Sequence, residues 1–324
     1  MARFSKKITD FLTTEEIRQV TRPTDRQGAL AVGTSWALIT GAFALAAWRP
    51  GVATIFVALV ILGGRHLGLA ILMHECSHRS LFRTKWLNDV VGKWLCAEPV
   101  WQHLDKYRKH HLAHHAHTGT AADPDLVLAD PFPVSGMSVT RKFLRDLTGI
   151  AGAKRLYALL AMDTGYIEYT ASAGAKFIDQ TGRTKWDVVK TGWRNMRGML
   201  LTNGVLLGVL ALAGHAWLYL LWIGAYLTTF SLFVRVRSMA EHGCTDKTDD
   251  QLYNTRTIIA GPIARLTVAP HRVNYHLEHH LLATTPHYKL KRLHKLLKER
   301  GLYDKSHIAK NYGEVLRIVT TPAS

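Results

Sequence analysis

His110-His111-Leu112-Ala113-His114-His115 is the stretch from which the rest of the chain can be read. Successive helical residues are about 100° apart, so His111, His114 and His115 (i, i+3, i+4) fall on one narrow stripe and turn three imidazoles toward one point. Rings that protonated together would repel one another, whereas neutral rings can share a cation. A histidine run also arises by chance on a solvated helix, so its meaning depends on what surrounds it.

The chain has 324 residues, a formal charge of +17 and 20% charged residues, yet its mean hydropathy is zero. Apolar and polar residues must therefore be segregated. The basic excess suits an anionic lipid surface, nucleic acid or an acidic protein partner. The apolar runs described next favour the bilayer and a protein partner, and nucleic acid is not expected. Cys76, Cys96 and Cys244 are odd in number and lack a CxxC spacing, which argues against a disulfide framework or a zinc ribbon and fits a reducing compartment.

Residues 1–27 form a basic arm carrying Arg3, Lys6, Lys7, Arg18, Arg22 and Arg26, with a capping-box start at Thr13-Thr14-Glu15-Glu16. The arm does not read as a cleavable signal, because no apolar run follows a short basic head. Residues 28–48 and 52–73 are apolar and long enough to cross about 30 Å of hydrocarbon, with Trp48-Arg49-Pro50-Gly51 as the turn between them. Residues 199–213 and 217–234 form a second pair around Gly214-His215-Ala216. Arg65 and His66 interrupt the second run, where snorkelling or facing a site entrance would relieve them. Lys and Arg crowd the arm, the middle segment and the C-terminus but not the hairpin tips, which places both termini on the cytoplasmic side.

The expected fold is all-α and integral to the membrane, with four transmembrane helices in two hairpins and a cytoplasmic helical cap holding a metal site. One domain, 1–324, divides into the arm 1–27, a first hairpin 28–73, a cytoplasmic segment 74–197, a second hairpin 198–236 and a cytoplasmic segment 237–324. Helical patches are expected at 141–147 and 155–162. Residues 289–300 read as a basic amphipathic helix with Leu290, Leu293, Leu296 and Leu297 on its apolar side, suited to anchoring on a membrane surface.

Where the second run ends stands His74-Glu75-Cys76-Ser77-His78. His74 and His78 (i, i+4) share a helix face. The pentapeptide is also H-E-x-x-H, in which two zinc-binding histidines flank a general base, so a membrane metalloprotease is a rival reading. His276, His279 and His280 repeat the spacing of His111, His114 and His115. Eight imidazoles in three clusters exceed the four ligands of one tetrahedral zinc and call for two ions, and the protease accounts for only two of them. A metal transporter would want ionisable groups along its spans, and the first and third runs have none. His110 and His117 lie off the stripe and read as ordinary polar positions or donors behind the ligands.

His74/His78, His111/His114/His115 and His276/His279/His280, in this order around four apolar runs, resemble the three histidine boxes of the membrane fatty acid desaturases and their hydroxylase relatives. The resemblance implies two non-haem iron ions, O2 as co-substrate and attack on an unactivated C–H bond of a fatty acyl chain. It covers desaturation, hydroxylation and oxidative decarboxylation to 1-alkenes alike. His242 resembles a further ligand that some members contribute, while Ser238 stands where some relatives carry an Asn that reaches the metal through water. No side chain can take hydrogen from an aliphatic chain, so the metal centre must carry the chemistry and the protein positions it. Glu75, Asp125 and Glu278 are candidates to accept ligand N–H bonds. No haem motif or rubredoxin-like cysteine set is present, so electrons would come from a separate ferredoxin, rubredoxin or cytochrome. The acyl substrate would arrive free or linked to CoA or a carrier protein.

Overall fold

The computed structural model describes residues 8–129, 131–172 and 174–321. Arg3, Lys6 and Lys7 of the basic arm lie outside them. Helix α1 (Thr14–Thr21) starts on the expected capping box, with Thr13 N–H donating to the Glu16 carboxylate at 2.8 Å and Glu16 N–H donating to Thr13 Oγ1 at 3.3 Å. Helices α2 (Asp25–Trp48) and α3 (Val52–Ser77) pack against each other along the first hairpin. Then come α4 (Lys85–Val91), a π-helical turn at Gly92–Ala97, α5 (Leu104–His117), α6 (Leu126–Ala129), α7 (Gly136–Leu147) and α8 (Ile150–Asp163).

The second pair is α9 (Lys185–Leu212) followed by α10 (Leu218–Leu227) and α11 (Thr229–His242), which together run from Leu218 to His242 with a bend at Thr228 (φ −108°, ψ −87°). These four spans are long and apolar enough to cross a membrane. The C-terminal part contains β1 (Arg256–Ile258), α12 (Pro262–Leu266), α13 (His276–Leu281), α14 (Leu290–Glu299), β2 (His307–Ala309) and α15 (Tyr312–Thr320). Strands β1 and β2 pair in parallel, Thr257 opposite Ile308.

Three expectations change at the level of elements. The third span begins at Lys185, fourteen residues before its apolar run, because Thr184 and Asp187 cap it reciprocally and its first turns carry Lys190, Arg194 and Arg197. Hydropathy finds only the lipid-like part of such a helix. Helix α3 likewise runs through the first histidine box to Ser77. Helix α14 does not anchor the chain to a lipid surface. Its Leu290, Leu293 and Leu297 are buried, the latter two with Leu12, Val20 and Leu277, and its basic face holds α1 through Lys289 to the carbonyls of Gln19 and Arg22 (both 2.6 Å) and Arg292 to Gln19 Oε1 (2.6 Å).

Nor do Arg65 and His66 snorkel. Both are buried, His66 among the rings of Trp222, Tyr226 and Phe230. Glycines permit this closeness. A Cβ on Gly63 would sit 2.1 Å from Thr229 Oγ1, and one on Gly64 would sit 2.1 Å from the Leu266 carbonyl oxygen. Thr229 Oγ1 donates to Leu59 O at 2.6 Å, tying α11 to α3 at the same level.

Replacing Gly64 by Ala should separate α3 from residues 262–272 and cost about 1–3 kcal/mol, as overpacking of a tight core does. Gly33→Ala, with nothing within 4 Å of its added Cβ, should instead leave stability unchanged or raise it by up to about 1 kcal/mol. Thermal unfolding of the two variants in detergent checks the contrast, and equal melting curves would contradict it.

Candidate metal centre

Three helices and the end of a fourth bring nine imidazoles together. The last turn of α3 and its cap present His74 and His78, α5 presents His111, His114 and His115, α11 ends on His242, and α13 presents His276, His279 and His280. The nitrogens sort into two groups, within each of which all lie inside 4.8 Å of one another: His74, His78, His111, His115 and His279, and His114, His242, His276 and His280.

The stripes therefore do not face one point. Residues i and i+4 differ by about 40° around a helix, but i+3 and i+4 differ by about 100°. His111 and His115 turn to the first group and His114 to the second, while His276 and His280 turn to the second and His279 to the first. The second and third boxes each straddle both groups, while His74 and His78 of the first box both belong to the first group. The two groups share a wall, where the His115 and His280 rings stack at 4.3 Å.

In several contacts the nitrogens meet tip to tip: His115 Nε2 lies 3.0 Å from both His111 Nε2 and His279 Nε2, and His276 Nε2 lies 2.8 Å from His242 Nε2 and 3.1 Å from His280 Nε2. Outer atoms hold some of the rings. Asp123 Oδ1 lies 2.7 Å from His114 Nδ1, Asn254 O lies 3.1 Å from His242 Nδ1, and Thr118 Oγ1 lies 3.4 Å from His280 Nδ1. An Nδ1–H donor fixes the tautomer that leaves Nε2 free to bind a metal. Buried Nε2 atoms of His74 and His78 have no partner among the described residues. Buried, partnerless acceptors converging in this way fit a cation.

Burial, followed by the neighbouring imidazoles, drives the pKa of His111, His276, His279 and His280 far below its usual value and takes His115 to about 2. Burial, followed by the Arg108 charge, takes His78 to about 4. Near pH 7 these rings are neutral, the form that binds metal. Burial alone would raise the Asp123 carboxyl, but its hydrogen bond to His114 and those from the Asp125 and Gly119 amides outweigh burial, and the net shift is downward.

The other expected residues divide. Asp125 takes His110 Nε2 at 2.8 Å and comes only within 3.8 Å of His114 Nδ1, so His110 positions Asp125 and joins neither group. His117 is exposed. Glu75 Oε1 stays 3.5 Å from His74 Nδ1, while Glu75 Oε2 accepts the His287 N–H at 2.7 Å. Glu278 takes His294 Nδ1 at 2.6 Å together with the hydroxyls of Thr257 and Tyr303, and bonds none of the nine rings. Ser238 is half-buried and makes no side-chain hydrogen bond among the described residues.

Sequence reading missed Asp123, which stood in plain view as part of a turn, and the pair Arg237–Glu241. Arg237 Nε donates to Glu241 Oε1 at 2.6 Å, and that oxygen lies 3.6 Å from His276 Nδ1. An i, i+4 ion pair inside an apolar span was the available signal.

Comparison with known proteins agrees with this geometry. Residues 46–312 match the Fatty acid desaturase family, and the chain belongs to that family. Its members named below are oxidoreductases of the desaturase type, and this chain is an enzyme of that type. It is 28% identical over 298 residues to a dihydrorhizobitoxine desaturase of Bradyrhizobium elkanii, covering 90% of this chain and 80% of that protein. Identity is 23% over 256 residues to the sn-1 acyl-lipid omega-3 desaturase (ferredoxin) of Nostoc sp. (strain 36), with 73% and 62% covered. It is 24% over 270 residues to the omega-6 fatty acid desaturase, endoplasmic reticulum isozyme 1, of Glycine max, with 79% and 66% covered.

A ring whose pKa is lower folded than unfolded binds more protons when the chain unfolds, so stability falls with pH below the unfolded value of about 6.5. The window reaches down to about 4 for His78 and about 2 for His115. Metal-stripped protein should therefore show a Tm that declines steadily from pH 7.5 to pH 5, less steeply in His78→Gln. A Tm that stays flat or rises over this range would contradict the neutral-cluster assignment.

Proposed function

We propose that the two histidine groups hold two iron ions and that the enzyme uses O2 to introduce a double bond into a fatty acyl chain. The observation that carries the proposal is the division of nine buried or half-buried, converging imidazoles into two adjacent groups. His74, His78, His111, His115 and His279 would hold one iron, and His114, His242, His276 and His280 the other. All-imidazole ligation by neutral rings suits a first-row metal that must keep its oxidising strength. Desaturation, rather than hydroxylation or decarboxylation, is supported by the names of the three relatives above, which share that reaction while differing in the substrate named.

Iron held here supplies, with O2, the oxidising power that side chains lack. Two hydrogens leave adjacent carbons, and O2 takes them up with two electrons and two protons from the donor to give two waters. The chain's own residues set the stage for this. Asp123 orients His114 and the Asn254 carbonyl orients His242. Tyr107 lies flat against His111, ring centres 5.2 Å apart. Glu75 is turned away onto the His287 amide, which suits a positioning role better than that of a hydrolytic base.

In this reading the four spans cross the bilayer, both termini and the histidine end face the cytoplasm, and residues 1–324 act as one domain. The basic excess would receive an acidic electron donor, such as a ferredoxin, rubredoxin or cytochrome.

Iron analysis and product identification test the proposal together. Wild-type protein should bind about two irons and convert labelled acyl substrates in membranes to products two hydrogens lighter. Because the groups share no member, His111→Ala or His276→Ala should lower iron content and abolish turnover, while His110→Ala and His117→Ala retain both. Oxygenated products would replace desaturation by hydroxylation, and one zinc with peptide hydrolysis in air-free buffer would overturn the oxidase altogether. Loss of Asp123, through Asp123→Asn, should lower iron affinity or activity about 10- to 100-fold.

A further inference from the structure

Among the described residues Arg65 is a guanidinium without a counter-ion, set in an apolar helix. It is 4% exposed, Nη2 donates to the Leu266 carbonyl at 2.9 Å, Nε has no partner, and no carboxylate of the described residues pairs with it. An unpaired buried cation is among the costliest groups a protein can hold, and inside a membrane span it marks a binding function with its partner yet to be named.

Two further groups stand around it. His271 Nε2 and Arg65 Nη1 each lie 3.4 Å from the point where a Cβ on Gly68 would be. His287 meets His271 edge-on at 5.0 Å, is buried, and has no partner for its Nε2 among the described residues. Ser35 Oγ, fully buried on α2, sits 2.9 Å from His271 Nε2. None of these belongs to either metal group. The backbone is strained to bring His271 here: His271 (φ 50°) and Arg272 (φ 58°) are consecutive non-glycine residues in the left-handed region. Such strain persists only where the surroundings enforce it, and it gathers at binding sites.

We propose that Arg65, His271 and His287 form a binding site for the carboxylate of an amphiphilic ligand. The ligand supplies the missing counter-ion, and a guanidinium offering Nε and Nη1 matches the two oxygens of a carboxylate. Leu67, Leu69, Val268 and Ala269, buried and close in sequence to these residues, make the surroundings apolar, which suits a ligand with a hydrocarbon tail.

The site adjoins the metal centre, since the N–H of His287 binds Glu75, the neighbour of His74. Along α3, Arg65 precedes His74 by nine residues, a rise of about 13 Å. A carboxylate held here would fix which carbon of its chain reaches the histidine groups. That role rests on the proposed oxidase function; the binding itself does not.

The test is the thermal shift of the purified, metal-stripped full-length protein in neutral detergent. The probes are palmitate, methyl palmitate, hexadecyl phosphate and acetate. Palmitate should stabilise the wild type at concentrations at least about tenfold lower than methyl palmitate, the preference expected of charge-assisted hydrogen bonds. Arg65→Met should lose that preference. If Arg65→Met fails to fold, Gly68→Ala decides: its methyl fits at ordinary contact distance, so the fold and iron content should survive while the preference disappears. Equal binding of acid and ester, or a preference that survives in the variants, would overturn the proposal and leave Arg65 as a staple for the Leu266 carbonyl. Stronger stabilisation by hexadecyl phosphate would overturn it in favour of a phospholipid headgroup, and stabilisation by acetate alone would overturn the amphiphile. A palmitate preference in a protein that binds no iron would uphold the site while the oxidase reading failed.

Discussion

Nine imidazoles, six of them buried and three half-buried, stand with their nitrogens facing one another, and the rest of the structure serves that arrangement. Brought together as protonated rings they would repel strongly in a medium with little water to screen them, and brought together as neutral rings they leave acceptors without donors. A pair of cations would resolve both problems at once. The long apolar helices serve the same arrangement: α3 continues to Ser77 and α11 to His242, so that each carries histidines rigidly at its end.

What holds the last box in place is a buried network rather than a span. Helix α13 is only six residues long and could not stand alone. Glu278 at its centre is fully buried and gathers Thr257 of β1, His294 of α14 and Tyr303 into one knot, while the β1–β2 pairing fixes Thr257. Helix α14 in turn buries its leucines against α1 and α13. This basic amphipathic helix therefore turns its apolar face inside the protein, closing the histidine site, and Arg292 on its basic face is bound to the N-terminal helix.

The fold was largely legible because its signals are local. Apolar runs, turns and the i, i+3, i+4 spacing of the boxes can be read without knowing what lies across from them. The division of the second and third boxes between two groups was legible in principle, since 100° between His114 and His115 is set by the helix alone, but a stripe that looks narrow on one helix says nothing about where the facing helices stand. Asp123 and Glu241 escaped for the same reason: each meets its histidine only through tertiary packing. The expectation for α14 failed because its apolar face fits a lipid surface and a protein core equally well, and only the presence of Leu12, Val20 and Leu277 decides between them. Arg65 failed in the opposite way, since snorkelling is the usual relief for such a residue, and here residues 262–272 cover it.

The central claim is that each HxxHH box serves two metals at once. The most direct measurement is an anomalous difference map at the iron edge from crystals of the iron-loaded protein. The account predicts two peaks, one surrounded by His74, His78, His111, His115 and His279 and the other by His114, His242, His276 and His280. A single peak, or one ion bound by His111, His114 and His115 together, would contradict it.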